Sequence, residues 1–230
     1  LGSAMTLATT SALHLTPHLR QELEHRYHQQ TLHSFASNKA IPLSSSEVWV
    51  VCRGVVMLST LYDTGEEALL GLAGPSVLFG LPLTQVDPYQ ATAFSAVDLI
   101  KISMAELEHS PLLCRDLFRS LNHRLQQTEQ ILAIVGQRRV EDRLRWFLQL
   151  LSQEVGQPWG PGTRLTVRFT HQHLANAVGT TRVTITRLLG QLRRDGLLDL
   201  DDDRHLILLD PCLTSSATRL PCPDFNFPNP

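Results

Sequence analysis

At 230 residues with 43% hydrophobic side chains, the chain is long enough for two modest domains, each with a core of its own. Its formal charge of −2 at pH 7 excludes a uniformly basic surface, so any nucleic-acid partner must be met by a local patch. The longest apolar stretch, 68–83, is too short for a membrane span and contains Gly71, Gly74, Pro75, Gly80 and Pro82, so no membrane partner and a cytoplasmic location are expected.

Residues 1–15 are read as a tag remnant and disordered lead, with Leu1-Gly-Ser-Ala ahead of Met5 and no signal segment behind it. Thr16-Pro17 then supplies an N-cap and a first-turn proline, and Leu19, Leu23 and Tyr27 follow at helical spacing, which predicts a helix to about His33. His14 and His18 sit one turn apart without a third ligand, and Cys52, Cys114, Cys212 and Cys222 show no zinc or iron–sulfur spacing, so no metal is expected.

From Ala40 to Ile102 short Val/Leu/Ile runs are cut by Arg53-Gly54, Asp63-Thr64-Gly65, Gly74-Pro75 and Asp87-Pro88. That texture predicts strands joined by tight turns, a β-roll or jelly roll that together with residues from 16 forms a sensing domain over 16–110. Glu66-Glu67 is read as a solvated hairpin turn. After Ser110-Pro111 the period changes: Phe118, Leu121, Leu125, Thr128, Leu132 and Val135 are spaced alternately three and four apart, a heptad seam on a helix over 111–136. A second copy of the same helix is the simplest cover for such a stripe, so Phe118, Leu121, Leu125, Leu132 and Val135 are assigned to a homodimer interface. Thr128 in that seam either pairs across the dimer, meets a ligand, or bonds its own helix carbonyl.

The second domain spans 137–210. An amphipathic helix is expected from Arg138 to Val155, then a loop over Gly156–Gly162, then alternation from Thr163 to Phe169. Thr170 caps a helix ending near Val178, Gly179 makes a left-handed turn, and Thr181 caps a helix to about Asp195. Ile185, Leu188, Leu189 and Leu192 mark its inner face, while Arg182, Val183, Thr186, Arg187, Gly190 and Arg194 mark its outer face. Strands near Leu197–Leu200 and His205–Leu209 complete a wing. Between 138 and 195 ten arginines (Arg138, Arg139, Arg143, Arg145, Arg164, Arg168, Arg182, Arg187, Arg193, Arg194) face four acids (Glu141, Asp142, Glu154, Asp195), a basic island in an acidic chain. Strand, capped helix, glycine turn, arginine-bearing helix and wing in that order predict a DNA-binding winged helix-turn-helix. The wing tip Asp201-Asp202-Asp203 would repel phosphate and is expected to stand clear of the backbone. The Pro- and Ser-rich tail, 211–230, is expected to be disordered, with Phe225 and Phe227 as a short docking motif.

Over about 35–210 the layout resembles the cyclic-AMP receptor and FNR family of transcription regulators, and within it the cyanobacterial global nitrogen regulators. The matching runs include Asn38-Lys39, Tyr62-Asp-Thr-Gly-Glu-Glu67, Ser76-Val-Leu-Phe-Gly80, Ala91-Thr-Ala-Phe-Ser95, Leu125-Gln-Gln-Thr-Glu129 and Thr180-Thr-Arg-Val-Thr-Ile-Thr-Arg-Leu-Leu-Gly190. The resemblance implies an α+β chain: a cyclic-nucleotide-binding-like jelly-roll sensor, a long dimerisation helix and the winged helix-turn-helix. It implies that Arg182, Val183 and Arg187 face base edges while Thr170, His171, Gln172, Thr181 and Thr184 hold phosphates of double-stranded DNA. Val183 stands where the cyclic-AMP receptor has glutamate, which shifts that step toward an A·T pair and a GTA-N8-TAC-like palindrome.

The resemblance also implies an effector pocket made by Phe79, Gly80, Leu81, Pro82 and Leu83 with Arg124, Thr128 and Glu129, where nitrogen regulators bind 2-oxoglutarate. The family's second carboxylate-binding arginine aligns with Asp87, so 2-oxoglutarate is a candidate effector rather than an assignment. The cyclic-nucleotide phosphate pair and the FNR cysteine cluster are both missing. RNA polymerase is an implied partner, with the exposed loop around Trp159 as its contact. No phosphate loop, nucleophile elbow or paired carboxylate points to an enzyme. The alternative class is a small-molecule or protein sensor that has lost DNA binding.

Overall fold

The computed structural model describes residues 31–210. The lead over 1–15, the His14/His18 pair and the tail with Phe225 and Phe227 lie outside them. Most of the helix expected from Thr16 does too, but its end is corrected: Leu32 and His33 open strand β1 (Leu32–Phe35) and pair with Ile100 and Leu99. The backbone groups along that edge of the sheet need a partner, and helical spacing upstream carries no information about them.

Six further strands, β2 (Glu47–Arg53), β3 (Val56–Leu61), β4 (Glu67–Ala73), β5 (Leu78–Phe79), β6 (Gln90–Ala93) and β7 (Val97–Ser103), complete the roll as two antiparallel sheets ordered β1-β7-β2-β5 and β4-β3-β6. Alternation along β2 explains why its sequence is nearly all apolar. Trp49 and Val51 enter the core between the sheets with Leu58, Phe79 and Leu99, while Val48 and Val50 point the other way and pack with Ile100, Ile102 and Leu107.

That second face is covered by helices α1 (Met104–His109) and α2 (Pro111–Val135). Ser103 opens α1 with a capping box to Glu106, and Ser110 followed by Pro111 opens α2. The inner stripe of α2 is Ser120, Gln127 and Ile134, all buried and seven residues apart. Two of these are polar because they serve strand backbones. The Leu78 amide donates to Ser120 Oγ at 2.7 Å, and Gln127 meets both groups of Leu72, accepting from its amide at 2.8 Å and donating to its carbonyl at 3.2 Å. Gln127 thus acts as a one-residue strand on the open edge of β4. Gly71 (φ 150) makes this approach possible, since a Cβ there would collide with Gln127 Oε1 and Arg124 Nη1.

Gly136 ends α2, and helix α3 (Val140–Val155) begins the C-terminal half, burying Leu144, Phe147, Leu148 and Leu151. The loop expected over Gly156–Gly162 is corrected to a hairpin. Strands β8 (Gly156–Trp159) and β9 (Gly162–Leu165) pair around a two-residue turn with Gly160 at φ 53, and join β10 (Leu198–Leu200) and β11 (Leu206–Leu208) in the order β10-β11-β9-β8. Glycines normally read as loop signals; here a Cβ at Gly156 would strike Ser152 O and one at Gly162 would strike Leu208 O, so they mark close packing. The alternation beyond Leu165 buries Val167 and Phe169 without further pairing. Helices α4 (His171–Val178) and α5 (Arg182–Arg194) complete the domain.

The two halves share one core. Val55, Met57, Leu72 and Phe94 of the roll join the cluster of Leu148, Phe169 and Leu174, with Phe94 edge-on to Phe169 at 4.8 Å and to His173 at 5.1 Å. Between α2 and α3, His123 Nε2 lies 3.1 Å from Glu154 Oε2.

Replacing Gln127 by Leu keeps the volume and orphans both Leu72 backbone groups, so denaturant unfolding is expected to show a loss of about 2–4 kcal/mol. The hydrogen bond to Glu154, outweighing burial, raises the His123 pKa. A raised histidine contributes stability fully below the ordinary 6.5 and loses it as pH climbs through its folded-state value. The stability gap between the wild type and His123→Gln, no more than about 1 kcal/mol, is therefore expected to close with rising pH in denaturation series. A gap that widens would contradict the pairing.

Candidate nucleic-acid interface and effector pocket

Thr170 starts α4: its hydroxyl accepts from the His173 amide at 3.0 Å, and its own amide donates to His173 Nδ1 at 3.3 Å. Burial lowers the His173 pKa, with Glu67 opposing, which suits a neutral ring that accepts at Nδ1. Gly179 ends the helix in the left-handed region (φ 63, ψ 58). The turn is also held from outside, because the Arg143 guanidinium of α3 donates to Gly179 O at 3.2 Å and to Gln137 O at 3.3 Å. Thr181 then caps α5, accepting from the Thr184 amide at 3.2 Å, and its hydroxyl meets that of Thr184 at 3.0 Å.

Helix α5 buries Ile185, Leu188, Leu189 and Leu192 against the core and leaves Arg182, Val183, Thr186 and Arg187 exposed. Val183 is 79% exposed at the start of the helix, an apolar side chain with no protein surface to cover it. Thr186 donates its single proton to Arg182 O at 2.9 Å, so the 2.7 Å contact between His171 Nδ1 and Thr186 Oγ1 requires the histidine to donate. Gln172 Nε2 donates to Asn176 Oδ1 at 2.6 Å.

The start of α4, helix α5 and the wing enclose a cleft of about 610 Å³ that is lined by Arg168, Thr170, His171, Gln172, Arg182 and Arg204, among others. The wing tip is less acidic toward this cleft than its sequence suggests. Asp201 turns back onto Arg164 Nε at 2.5 Å and accepts from the His205 amide at 2.7 Å. Burial pushes its carboxyl up, but the hydrogen bonds from Arg164 and His205 and their charges outweigh it and hold it at about 2. Asp202 and Asp203 are exposed, and Arg204, in the left-handed region at φ 62, lines the cleft. Asp201, Asp203 and His205 have ligand atoms within 4.8 Å of one another, but Arg164 Nη2 already sits 2.8 Å from His205 Nδ1.

A second cavity, about 300 Å³, lies between the roll and α2. Of the residues expected at an effector site, Phe79, Leu83, Arg124 and Thr128 line it. Gly80, Leu81 and Pro82 form the neighbouring turn without lining it, and Glu129 is exposed on the helix. Sequence reasoning missed Leu70, Leu78, Thr84, Val86, Tyr89, Leu121 and Leu125. Leu121 and Leu125 were legible only as seam residues, and Tyr89 stands in a turn with no periodic signal. Arg124 Nη1 is buried without a hydrogen-bond partner among the described residues, and burial lowers the pKa of this guanidinium despite the nearby Tyr89 and Glu154. Thr128 donates to Arg124 O at 2.8 Å, the local bond foreseen as one of its three options. Asp87 is exposed and does not line the cavity.

The model of the Crp-like helix-turn-helix domain matches residues 142–212. The regulatory protein CysR of Synechococcus elongatus is 36% identical over 183 residues, covering 78% of this chain and 84% of that protein. A global nitrogen regulator from a Nostoc species is 34% identical, covering 73% and 80%. The chain belongs to the CRP/FNR family of transcriptional regulators. A solved CRP/FNR regulator from Thermus thermophilus superposes with a TM-score of 0.65 at 26% identity, covering 78% of this chain and 94% of that one.

As a CRP/FNR regulator the chain carries a DNA-binding helix-turn-helix, and its relatives are transcription regulators rather than enzymes. The seam residues of α2 stand open in the single chain, Phe118 at 74% and Leu132 at 69% exposure, with Leu121, Leu125 and Val135 also exposed. No helix among the described residues is long and apolar enough to cross a membrane.

Proposed function

We propose that the chain acts as a homodimer that reads a two-fold DNA site of the GTA-N8-TAC kind under control of a small molecule in the cavity between roll and α2. The outer face of α5 carries this reading. Arg182 and Arg187 enter no ion pair with protein among the described residues, and Val183 is exposed between them, a set suited to guanine edges and a thymine methyl. Thr170, His171, Gln172, Thr181 and Thr184 sit at helix starts, where amides and hydroxyls favour phosphate. Arg168 and Arg204 line the cleft and would extend that phosphate surface, which favours a wing that approaches the backbone over one that stands clear of it.

The apolar seam supports dimerisation, since five large apolar side chains on one stripe of α2 are left exposed among the described residues. Two-fold symmetry would set the reading helices about 34 Å apart. Leu121, Leu125 and Thr128 belong both to the seam and to the cavity lining, so a ligand would touch side chains that the partner helix also covers. That overlap would let a ligand favour one packing of the second helix over another, the condition for control. 2-oxoglutarate is the reference compound that the resemblance to nitrogen regulators supplies.

Fluorescence anisotropy with a GTA-N8-TAC duplex and a scrambled control is expected to show selective binding that Arg187→Ala weakens by about 1–3 kcal/mol. Arg204→Ala should instead weaken both duplexes alike and lower the salt slope by about 1. Binding to neither duplex would move the chain to a sensor without DNA function.

Trp159 is 49% exposed on the β8–β9 hairpin, with the Arg164 guanidinium 5.4 Å from its ring centroid. We assign it to RNA polymerase contact. Trp159→Ala is expected to lower transcription in a reconstituted assay while duplex affinity stays unchanged, and parallel loss of both would refute this role.

A further inference from the structure

The charge inventory of the cavity between the roll and α2 specifies its ligand more narrowly than family resemblance does. Among the described residues that line it, Arg124 is the sole charged side chain. The other walls are mainly apolar, from Leu70, Leu78, Phe79 and Leu83 on the roll and Leu121 and Leu125 on α2. The guanidinium lies against the bare backbone of Gly71, where a Cβ would collide with Nη1, and that nitrogen is buried with no hydrogen-bond partner among the described residues. Buried donors are almost always satisfied, so this one points to an acceptor that the described residues do not supply.

The nearby acids do not fill that role. Glu154 is 3.1 Å from His123 and lies outside the lining, Glu129 is exposed on α2, and Asp87 is exposed beyond the cavity. Two hydroxyls remain useful to a ligand. Burial keeps the Tyr89 phenol protonated as a donor, and Thr84 accepts from the Val86 amide, leaving its proton free. Thr128 has already given its proton to Arg124 O. Hydroxyls can bond a second carboxylate, but they cannot neutralise its charge, and once a second α2 covers Leu121 and Leu125 a charge among these leucines without a counter-ion is strongly disfavoured.

We propose that this cavity binds a small amphiphilic monoanion, with one carboxylate on Arg124 and an apolar body against the leucine walls, and that it discriminates against dicarboxylates. The inference rests on the reading of the cavity as an effector site. Its volume of about 300 Å³ leaves room for on the order of ten non-hydrogen atoms, taking about 30 Å³ for each water-sized group. A short fatty acid or an arylacetic acid fits that description. Leu121 and Leu125 are seam residues as well as walls, so the apolar body would lie directly behind the surface on which a second α2 packs.

Calorimetric titration of the full chain with hexanoate, phenylacetate, hexanamide, glutarate and 2-oxoglutarate separates the possibilities. Hexanoate or phenylacetate is expected to bind at least tenfold more tightly than either dicarboxylate and than the neutral amide, and Arg124→Gln should remove that advantage. A second variant, Thr84→Arg, adds a cation to the wall and should reverse the preference between hexanoate and glutarate. Tighter binding of 2-oxoglutarate by the wild type, no binding of either monocarboxylate, or an unchanged preference in Thr84→Arg would overturn the proposal. Duplex binding measured without ligand keeps the readings apart: selective DNA binding alongside absent monocarboxylate binding would leave the regulator standing and remove only this ligand class.

Discussion

The whole molecule depends on one helix having to satisfy two different surfaces. Helix α2 turns Ser120, Gln127 and Ile134 inward and Phe118, Leu121, Leu125, Leu132 and Val135 outward. The inner stripe is held by directional bonds: the Leu78 amide and both backbone groups of Leu72 end on its side chains. Such bonds fix rotation and height together, because a slip of one residue would orphan buried donors on β4 and β5. The outer stripe is apolar and tolerant of sliding, and so its orientation is inherited from the inner one.

That fixed helix then positions the cavity wall and the exposed apolar stripe. Its inner edge places Arg124 against Gly71 in the cavity wall, and its outer edge leaves Phe118, Leu125 and Leu132 exposed. Beyond Gly136 the chain is tied back to the roll by Phe94, Phe169 and His173, and Arg143 secures the turn before the reading helix. Packed side chains and hydrogen bonds thus join the roll and α2 to the C-terminal helices. The His123–Glu154 contact joins α2 to α3.

Charge is handled locally. An acidic chain presents a basic face because several of its acids are turned against its own arginines. Asp201 pairs with Arg164, and Asp199 lies 3.0 Å from Arg193, while Arg168, Arg182 and Arg204 line the cleft. The left-handed Arg204 follows the exposed Asp202 and Asp203 and brings a cation to that cleft, a backbone conformation that costs energy outside glycine and is often found where function needs it.

By itself the sequence determined the parts that depend on local periodicity and capping chemistry. The strand texture of the roll, the seam of α2, the Thr170 and Thr181 caps, the Gly179 turn and the two faces of α5 all arise from spacing and from single-residue preferences. The resemblance in 180–190 then pointed to the family. Only the tertiary structure decided what depends on meetings between distant segments. It set β1 where a helix end was expected, made a hairpin of 156–165, and put Gln127 and Ser120 in the core although their polarity argued for the surface. It brought Tyr89 and Thr84 to the cavity beside Arg124, left Glu129 outside it, and turned Asp201 away from the cleft. Strands β1 and β8–β9 were decided by backbone pairing between segments, and the polar side chains by a related reason. A polar side chain's place is set by the backbone group or charge it will satisfy, and that partner lies as far as 55 residues away, beyond the reach of any local pattern.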